Sequence, residues 1–380
     1  MRLIETAWRC FRNLEPRHQE WCPGLNVVLG PNGSGKTNLL ESLNVLCGWG
    51  AFDGGKLSSL AAWDSADGRA FLAGRTGGER EIEVEARIGA RASLRAGNEK
   101  ITHSALRALL PSLSFLPGDV GLLDGPPGAR RLFLDKLCAL CSPLYARRLA
   151  EYKQLVRHRA ALLRPYRGSG GLCPPVMGPG SQTLVFEATA VPLARLGGWI
   201  RDVRRRAVFL LAEKLSADLE NGLLSLLPRE VGLSLSLQGT FGIADAAEDM
   251  GRALAASLER ERRAGTVLVG PHRDDLLFSC GERPASLALS RGQKRRVVMA
   301  AILAAGRLIE GTLRLKPILI LDDIAAELDA EGRERMGLAL AGTGWQVFAS
   351  AADLSSAPSG AAAGALWHIR SGRIEEGRTP

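Results

Sequence analysis

An α/β fold is predicted, with a mixed β-sheet lobe and a second, mainly helical lobe inserted into it. Three stretches of the 380-residue chain predict it. Residues Asn26 to Thr37 read as a buried apolar strand, a glycine-rich turn and the first residues of a helix. Leu315 to Ile324 is an apolar run that ends in paired acids, as a central parallel strand would. Between them, residues from Leu122 to about Arg263 are helical and arginine-rich.

The first stretch is a phosphate cradle. Gly30, Gly33 and Gly35 lack the Cβ that would keep the backbone from closing round an anion, so Gly30, Pro31, Asn32, Gly33, Ser34 and Gly35 can turn successive N–H groups inward. Lys36 adds a point charge. Thr37 places a hydroxyl where it can ligand Mg²⁺, and Leu39, Leu40, Leu43 and Leu46 continue at helical spacing, setting a helix N-terminus under the phosphates. The pattern G-x-x-x-x-G-K-[ST] has its strand before and its helix after, so the stretch is expected to be a P-loop that binds a nucleotide.

The acids narrow the chemistry. Asp322 is expected to hold the Mg²⁺ shell and Asp323 to polarise the attacking water. Just upstream, Leu289-Ser-Arg-Gly-Gln-Lys-Arg296 opens an apolar helix, Val297 to Leu308, so Ser290 falls at an N-cap with free backbone donors. This is a second anion site. A chain with a P-loop and a separate serine-headed helix can bind ATP between two protomers, each supplying half the site.

Length and charge bound the rest. The chain is long enough for two or three domains, and 46% hydrophobic residues support a globular core. A net charge of +9 with pI near 9.5 favours an acidic partner, nucleic acid ahead of membrane, because no basic stretch is paired with an apolar face. A solvated arginine bias explains the charge equally well taken alone. Seven scattered cysteines suit a reducing compartment, and no apolar run nears the ~18 residues of a span, so a soluble cytoplasmic protein is expected.

In chain order, Arg2 to Ala7 and Leu25 to Leu29 read as strands, joined through Phe11-Arg-Asn-Leu14. Arg12 and Asn13 can reach the nucleotide from the side, or be a surface turn. Gly48 to Gly78 reads as loop, Glu81 to Ile88 as a half-buried antiparallel strand with a partner near Ala92 to Leu94, and Ser104 to Leu110 as a short helix closed by Pro111. Leu113 to Leu116 is a strand ending at Pro117-Gly-Asp119. Ala129 to Leu163 and Leu184 to Leu227 read as an antiparallel helical arm turning at Gly168 to Ser181. Its arginines 130, 131, 147, 148, 157, 159, 201 and 204 to 206 are assigned to the outer faces, either solvated or following a DNA backbone.

Cys138 and Cys141, one turn apart in a helix, read as core rather than as a zinc or redox pair. Leu233 to Leu237 alternates as a strand. Thr266 to Leu276 reads as a strand entering a polar turn, His272-Arg-Asp-Asp275, whose residue types could be catalytic or metal-binding, the preferred reading being a turn that braces the serine-headed helix. Trp345 to Ser350 is a strand that ends Ser350 beside the acids, where a γ-phosphate sensor or an ordinary strand end would stand. The tail closes as a hairpin through Ser371-Gly372.

Taken together, Gly30 to Thr37, Pro117-Gly-Asp119, Arg130-Arg131 with Phe133-Leu-Asp135, Gly270 to Asp275, Leu289 to Gln293 and Leu321 to Asp329 resemble the RecF family of bacterial recombination and gap-repair ATPases, within the ABC/SMC group. The resemblance implies an ABC/SMC-type P-loop fold with lobe I at 1–116 plus 312–380 and lobe II at 117–311. It implies an ATP-dependent homodimer on DNA at gaps or junctions, weak DNA-stimulated ATP hydrolysis, and cooperation with RecO and RecR to load recombinase. Gly30 to Thr37 match the triphosphate and Mg²⁺ site, while Ser290, with Gly292 and Gln293, caps the γ-phosphate of the opposite protomer. Asp322 and Asp323 match the Walker B pair, and Glu327 and Asp329 the D-loop. Gly118 replaces a usual Glu and Ala326 a usual Ser. A transporter ATPase subunit and a nucleotide-gated scaffold are the competing readings; the arm and the missing switch histidine oppose the first.

Overall fold

The computed structural model describes residues 1–380 except 79–80, 168–178, 221–231, 243–244, 324–327, 359–363 and 376–380. Strand β1 (Arg2–Arg9) turns through a short β2 (Arg17–Glu20) into β3 (Leu25–Leu29), every residue of which is buried, as a central parallel strand requires. The P-loop helix α1 (Lys36–Leu46) follows. The supposed loop from Gly48 to Gly78 contains an eight-residue strand, β4 (Ala70–Gly77), whose burial alternates from Ala70 to Thr76, but Gly74 and Thr76 stand at buried positions where an apolar side chain would mark the period, so the strand is hard to read from sequence. Next come β5 (Glu83–Ile88), β6 (Ser93–Ala96), β7 (Glu99–Ile101), α2 (His103–Leu109) capped by Thr102, and β8 (Ser112–Phe115).

The helical region opens with one turn, α3 (Gly121–Asp124), then α4 (Pro127–Cys141), α5 (Tyr145–Leu163) and α6 (Pro179–Glu220). The expected first arm helix is thus two helices, broken at Ser142-Pro143 because proline cannot continue a helix. β9 (Leu233–Gln238) and α7 (Ala246–Ala264) precede β10 (Asp275–Cys280) and β11 (Arg283–Pro284). Here the order expected from sequence is corrected: Thr266 to Val269 is not a strand, a 3-10 turn occupies Pro271–Arg273, and the strand comes after it. Gly270 at φ 136° makes the break. The one-turn α8 (Ala285–Ala288) leads to α9 (Arg291–Leu313), then β12 (Ile318–Leu321), α10 (Ala330–Thr343), β13 (Gln346–Ala351) and the hairpin β14 (Ala365–Arg370) and β15 (Arg373–Glu375).

The chain divides into two compact units. Unit 1 is Met1–Leu123, Glu213–Gly232 and Ser286–Pro380. It holds a sheet ordered β15-β14-β3-β13-β12-β8, parallel except for the β14–β15 hairpin, and an antiparallel sheet ordered β2-β1-β4-β5-β6-β7. α1 contributes Leu39, Leu40 and Leu43, all fully buried, to one core with Leu72, Val84 and Phe348 from both sheets. The buried Gln346 amide ties the sheets, accepting from Leu3 N–H at 2.8 Å and donating to Leu3 O at 2.7 Å.

Helix α9 falls in unit 1, although the expected boundary put it in lobe II. The reason is its packing. Twelve of its residues are buried, and a Cβ on Gly306 would stand 2.2 Å from the Trp345 ring, so the helix lies against the residue just before β13. Trp345 Nε1 also donates to Glu310 Oε2 at 2.9 Å.

Unit 2, Asp124–Ala212 and Leu233–Ala285, is mainly helical with the small sheet β11-β10-β9. Helices α5 and α6 run antiparallel, since Tyr145 meets Arg204 and Arg159 meets Phe186. Five arginines assigned to the outer faces are not solvated. Arg159 is 1% exposed and pairs with the buried Glu261 at 2.9 Å; Arg204 joins Asp135 at 2.8 Å and Asp274 at 3.0 Å; Arg201 reaches Asp274 at 3.4 Å. Arg130 forks onto Asp275 at 2.6 and 2.8 Å, and Arg131 donates to Asp274 O. The turn Pro271 to Asp275 is what Arg130, Arg131, Arg201 and Arg204 hold. Buried arginine needs a planar acceptor, and this turn supplies two carboxylates and free carbonyls. Arg147, Arg157, Arg205 and Arg206 do face solvent. Cys138 is fully buried core, as expected, and its thiol is pushed up by that burial.

Candidate nucleotide site

β3 delivers the cradle and β12 the acids, on adjacent sides of β13. Gly33 takes φ 78° with open space around its Cα, and Gly35 takes φ 112°, so both serve the turn as expected. Gly30 has another reason to be glycine. A Cβ there would lie 2.4 Å from Ile369 O of β14, so its role is to admit the C-terminal hairpin. That hairpin reaches the loop again at its turn: Gly372 N–H donates to Ser34 O at 2.7 Å, and a Cβ on Gly372 would stand 1.8 Å from Asn13 O.

Lys36 is buried, and its Nζ donates to Gly30 O at 2.6 Å and Pro31 O at 3.1 Å, which curls the ammonium back over the loop. Pro31 and Asn32 are exposed at the lip. Thr37 Oγ1 donates to Asp322 Oδ2 at 2.8 Å. Asp322 Oδ1 accepts from Ser350 Oγ at 2.6 Å, and Ser350 Oγ in turn accepts the Asp323 N–H at 2.9 Å. Ser350 is therefore spent on holding both acids. It is 1% exposed, and its proton is given to Asp322, so it holds the two acids in place. Asp323 sits at φ 49°, a left-handed conformation that aspartate tolerates better than most residues and that turns the chain sharply away after the strand.

The residues fit a Mg²⁺-bound triphosphate. Ser34 Oγ is buried without a hydrogen-bond partner, a cost that a phosphate oxygen would remove. Thr37 and Asp322 bring one hydroxyl and one carboxylate together, the sparse oxygen set that suits Mg²⁺ when phosphates and waters complete its shell. No cluster of three or more His, Cys, Asp or Glu occurs among the described residues, so a site built from protein ligands alone is not what this set provides.

Arg12 and Asn13 flank the cradle. Asn13 Oδ1 accepts from Asn38 Nδ2 at 2.8 Å and would lie 3.0 Å from a Cβ on Gly35. Arg12, at φ 49°, instead turns to the buried Glu41 on α1, at 2.9 and 3.3 Å. Sequence reasoning misses Glu41. Its signal is a carboxylate among the leucines on the buried side of α1.

Ser290 caps α9 in a closed capping box: its Oγ accepts Gln293 N–H at 3.4 Å and Gln293 Oε1 accepts Ser290 N–H at 2.9 Å. Both it and Arg291 are exposed, and Gly292 has open space beside it, so the helix start is presented to solvent. Asp329 is the N-cap of α10, accepting from Gly332 N–H at 2.8 Å, and it pairs with Arg296 of α9 at 3.1 Å. Burial does not drive this: the Gly332 N–H, followed by Arg296, holds its carboxyl below the usual range. Asp329 thus ties the serine-headed helix α9 to the helix after the acids, α10. Glu327 and Ala326 lie outside the described residues, and Gly118 has open space where a side chain would stand.

A parallel sheet with its phosphate loop and acids at one edge, beside an antiparallel sheet, defines the ATPase head of the RecF and SMC kind. The RecF/RecN/SMC N terminal domain model matches residues 3–355. A DNA replication and repair protein RecF from Myxococcus xanthus (strain DK1622) is 31% identical over 374 residues, covering 97% of this chain and 95% of the relative. One from Clavibacter sepedonicus is 33% identical over 401 residues, covering 97% and 94%. The chain belongs to the RecF family of DNA replication and repair proteins. In structure it is similar to the recombination mediator protein RecF solved with ATP, with a TM-score of 0.81, 24% identity, and 98% and 97% of the two chains covered. An SMC head bound to the C-winged helix domain of ScpA gives a TM-score of 0.55 at 14% identity, with 100% and 98% covered. Family membership sets aside the transporter reading. No described helix is long and apolar enough to cross a membrane.

Proposed function

We propose that this chain is a DNA-binding ATPase of recombinational gap repair and replication-fork maintenance. In this reading ATP closes a homodimer on DNA at gaps or single-strand/double-strand junctions, and slow hydrolysis, stimulated by DNA, reopens it. RecO and RecR are the partners with which it would load recombinase, a reading supported by the place of the ATP-bound relative in the RecFOR pathway. The observation that carries the ATPase part is the chain of bonds from Thr37 through Asp322 to Ser350 and on to Asp323, set beside a loop with a buried, unpartnered Ser34 hydroxyl.

The chemistry asks for position and charge more than for covalent steps. Loop amides and Lys36 would bind and neutralise the phosphates, and Thr37 with Asp322 would hold Mg²⁺, which supplies further charge neutralisation when bound. Asp323 would orient the attacking water and take its proton. Ser290, at the solvent-facing start of α9, would close the site from the partner protomer. Lys36→Ala is expected to abolish ATP binding. Ser290→Arg is expected to leave binding intact and block dimerisation, read by light scattering with ATP; a dimeric Ser290→Arg protein would refute the shared site. Asp323→Asn is expected to bind ATP and trap the dimer while hydrolysis falls by about a hundredfold or more. If that trapped dimer still supports repair in cells, the scaffold reading is favoured.

A further inference from the structure

On the outer face of the antiparallel sheet of unit 1, Arg9 of β1, Phe71 of β4 and Arg87 of β5 share one rung, paired Arg9 with Phe71 and Phe71 with Arg87. They line a cavity of about 400 Å³ together with Cys10, Asp67 and Arg69. The Arg87 guanidinium lies 5.9 Å from the Phe71 ring centre. Further along the same face Ala7 and Ala73 face each other, so the rung beside the aromatic ring carries two small side chains before it reaches Glu85.

The cavity's three arginines face a single lining acid, Asp67, which accepts from Ser65 Oγ at 3.1 Å and, of the three guanidiniums, pairs with that of Arg69, at 3.7 Å. Arg87 also touches Glu85 at 3.2 Å, and Arg9 is in no ion pair among the described residues. A second observation lies on the loop bonded to Cys10, one of the lining residues. Trp63 is 99% exposed. Its loop is fixed to β1's end by Ala62 N–H donating to Cys10 O at 2.8 Å and by the Phe11–Ala61 bridge, and Ser65 caps its return by accepting Arg69 N–H at 3.1 Å. An indole left wholly in water on an anchored loop forgoes roughly 2–3 kcal/mol of burial.

We propose that this face binds a segment of single-stranded nucleic acid, with phosphates on Arg9, Arg69 and Arg87 and a base stacked on Trp63. A strand suits the surface because it brings anions and flat apolar rings together, whereas a protein partner would need an apolar core that the arginine rung does not offer. The proposal rests on the DNA-binding reading above but names a surface separate from the nucleotide cradle.

The test is fluorescence anisotropy of a labelled oligothymidylate on the full-length protein, titrated across salt concentrations, with Trp63→Ala, Trp63→Phe and the double variant Arg9→Ala/Arg87→Ala. Trp63→Ala is expected to weaken binding about tenfold without changing the salt slope, and Trp63→Phe to restore most of it, because stacking is worth ~1–3 kcal/mol per base. The double arginine variant is expected to flatten the log–log salt slope by roughly 1.4, at about 0.7 per lost phosphate contact. ATP binding, measured in parallel, is expected to be retained by every variant and confirms folding. Parental affinity and slope in all three variants would overturn the proposal while leaving DNA binding elsewhere intact. Loss of ATP-driven self-association with DNA binding unchanged would overturn it in favour of a second copy on this face. Loss of ATP affinity in Trp63→Ala would overturn it in favour of a nucleotide subsite.

Discussion

His272 is the residue whose titration can be worked from its surroundings. Burial, ahead of every other cause, pulls its pKa from 6.5 down to about 4, partly opposed by the bond to Val267 O and reinforced by Arg273, Arg131 and Arg204. Its ring nitrogens are both engaged, with Tyr152 Oη at 2.7 Å and Val267 O at 3.2 Å. Because the carbonyl can only accept, Nε2 carries the proton and Nδ1 accepts from tyrosine. Between pH 6.5 and 4 the unfolded chain therefore binds a proton that the folded one refuses. Stability from this group is fully present above pH 6.5 and is lost progressively as pH falls to about 4, by roughly 3 kcal/mol at about 1.36 kcal/mol per pH unit. His272→Gln keeps an acceptor and a donor of similar reach but cannot titrate. Urea unfolding from about pH 7.5 to about pH 4 is expected to show the parent losing about 3 kcal/mol more than the variant. Neighbouring Asp274, whose pKa is raised by its own burial, contributes in the opposite direction in both proteins and cancels in the difference. Identical pH profiles would refute the assignment of a buried neutral histidine.

Two further outcomes follow from the cradle. Ser350→Ala removes the donor to Asp322 Oδ1 and the acceptor for Asp323 N–H, and is expected to cut turnover by about tenfold to a hundredfold, with ATP affinity within about threefold of parent; single-turnover hydrolysis at the parental rate would contradict the holding role. Gly372→Ala places a methyl against Asn13 O at a φ of 83°, so the hairpin turn must move off the loop, and ATP affinity in calorimetry is expected to drop by about tenfold or more while the fold's circular dichroism persists.

The nucleotide cradle is legible because its chemistry is local. Gly33, Gly35, Lys36 and Thr37 act within one turn of chain, so spacing alone exposes them, and the same holds for Ser290 as the N-cap of its helix. Strand β4 is not legible, since Gly74 and Thr76 stand at buried positions where apolar side chains would mark the alternation. The turn at Pro271–Arg273 reads in the wrong order because Val267 and Val269 look like strand residues but are buried on an irregular segment.

Arginines show the boundary most clearly. By itself the sequence determined that the arm is helical, basic and set between a phosphate loop and paired acids, because helical periodicity and motif spacing are properties of neighbouring residues. Only the tertiary structure decided which charges are free. Arg159 and Arg204 sit 102 and 70 residues from the Glu261 and Asp274 that neutralise them, while Gly30 owes its missing side chain to Ile369 near the other end of the chain. Such pairings depend on distance in space, which the folded chain sets and linear order does not record.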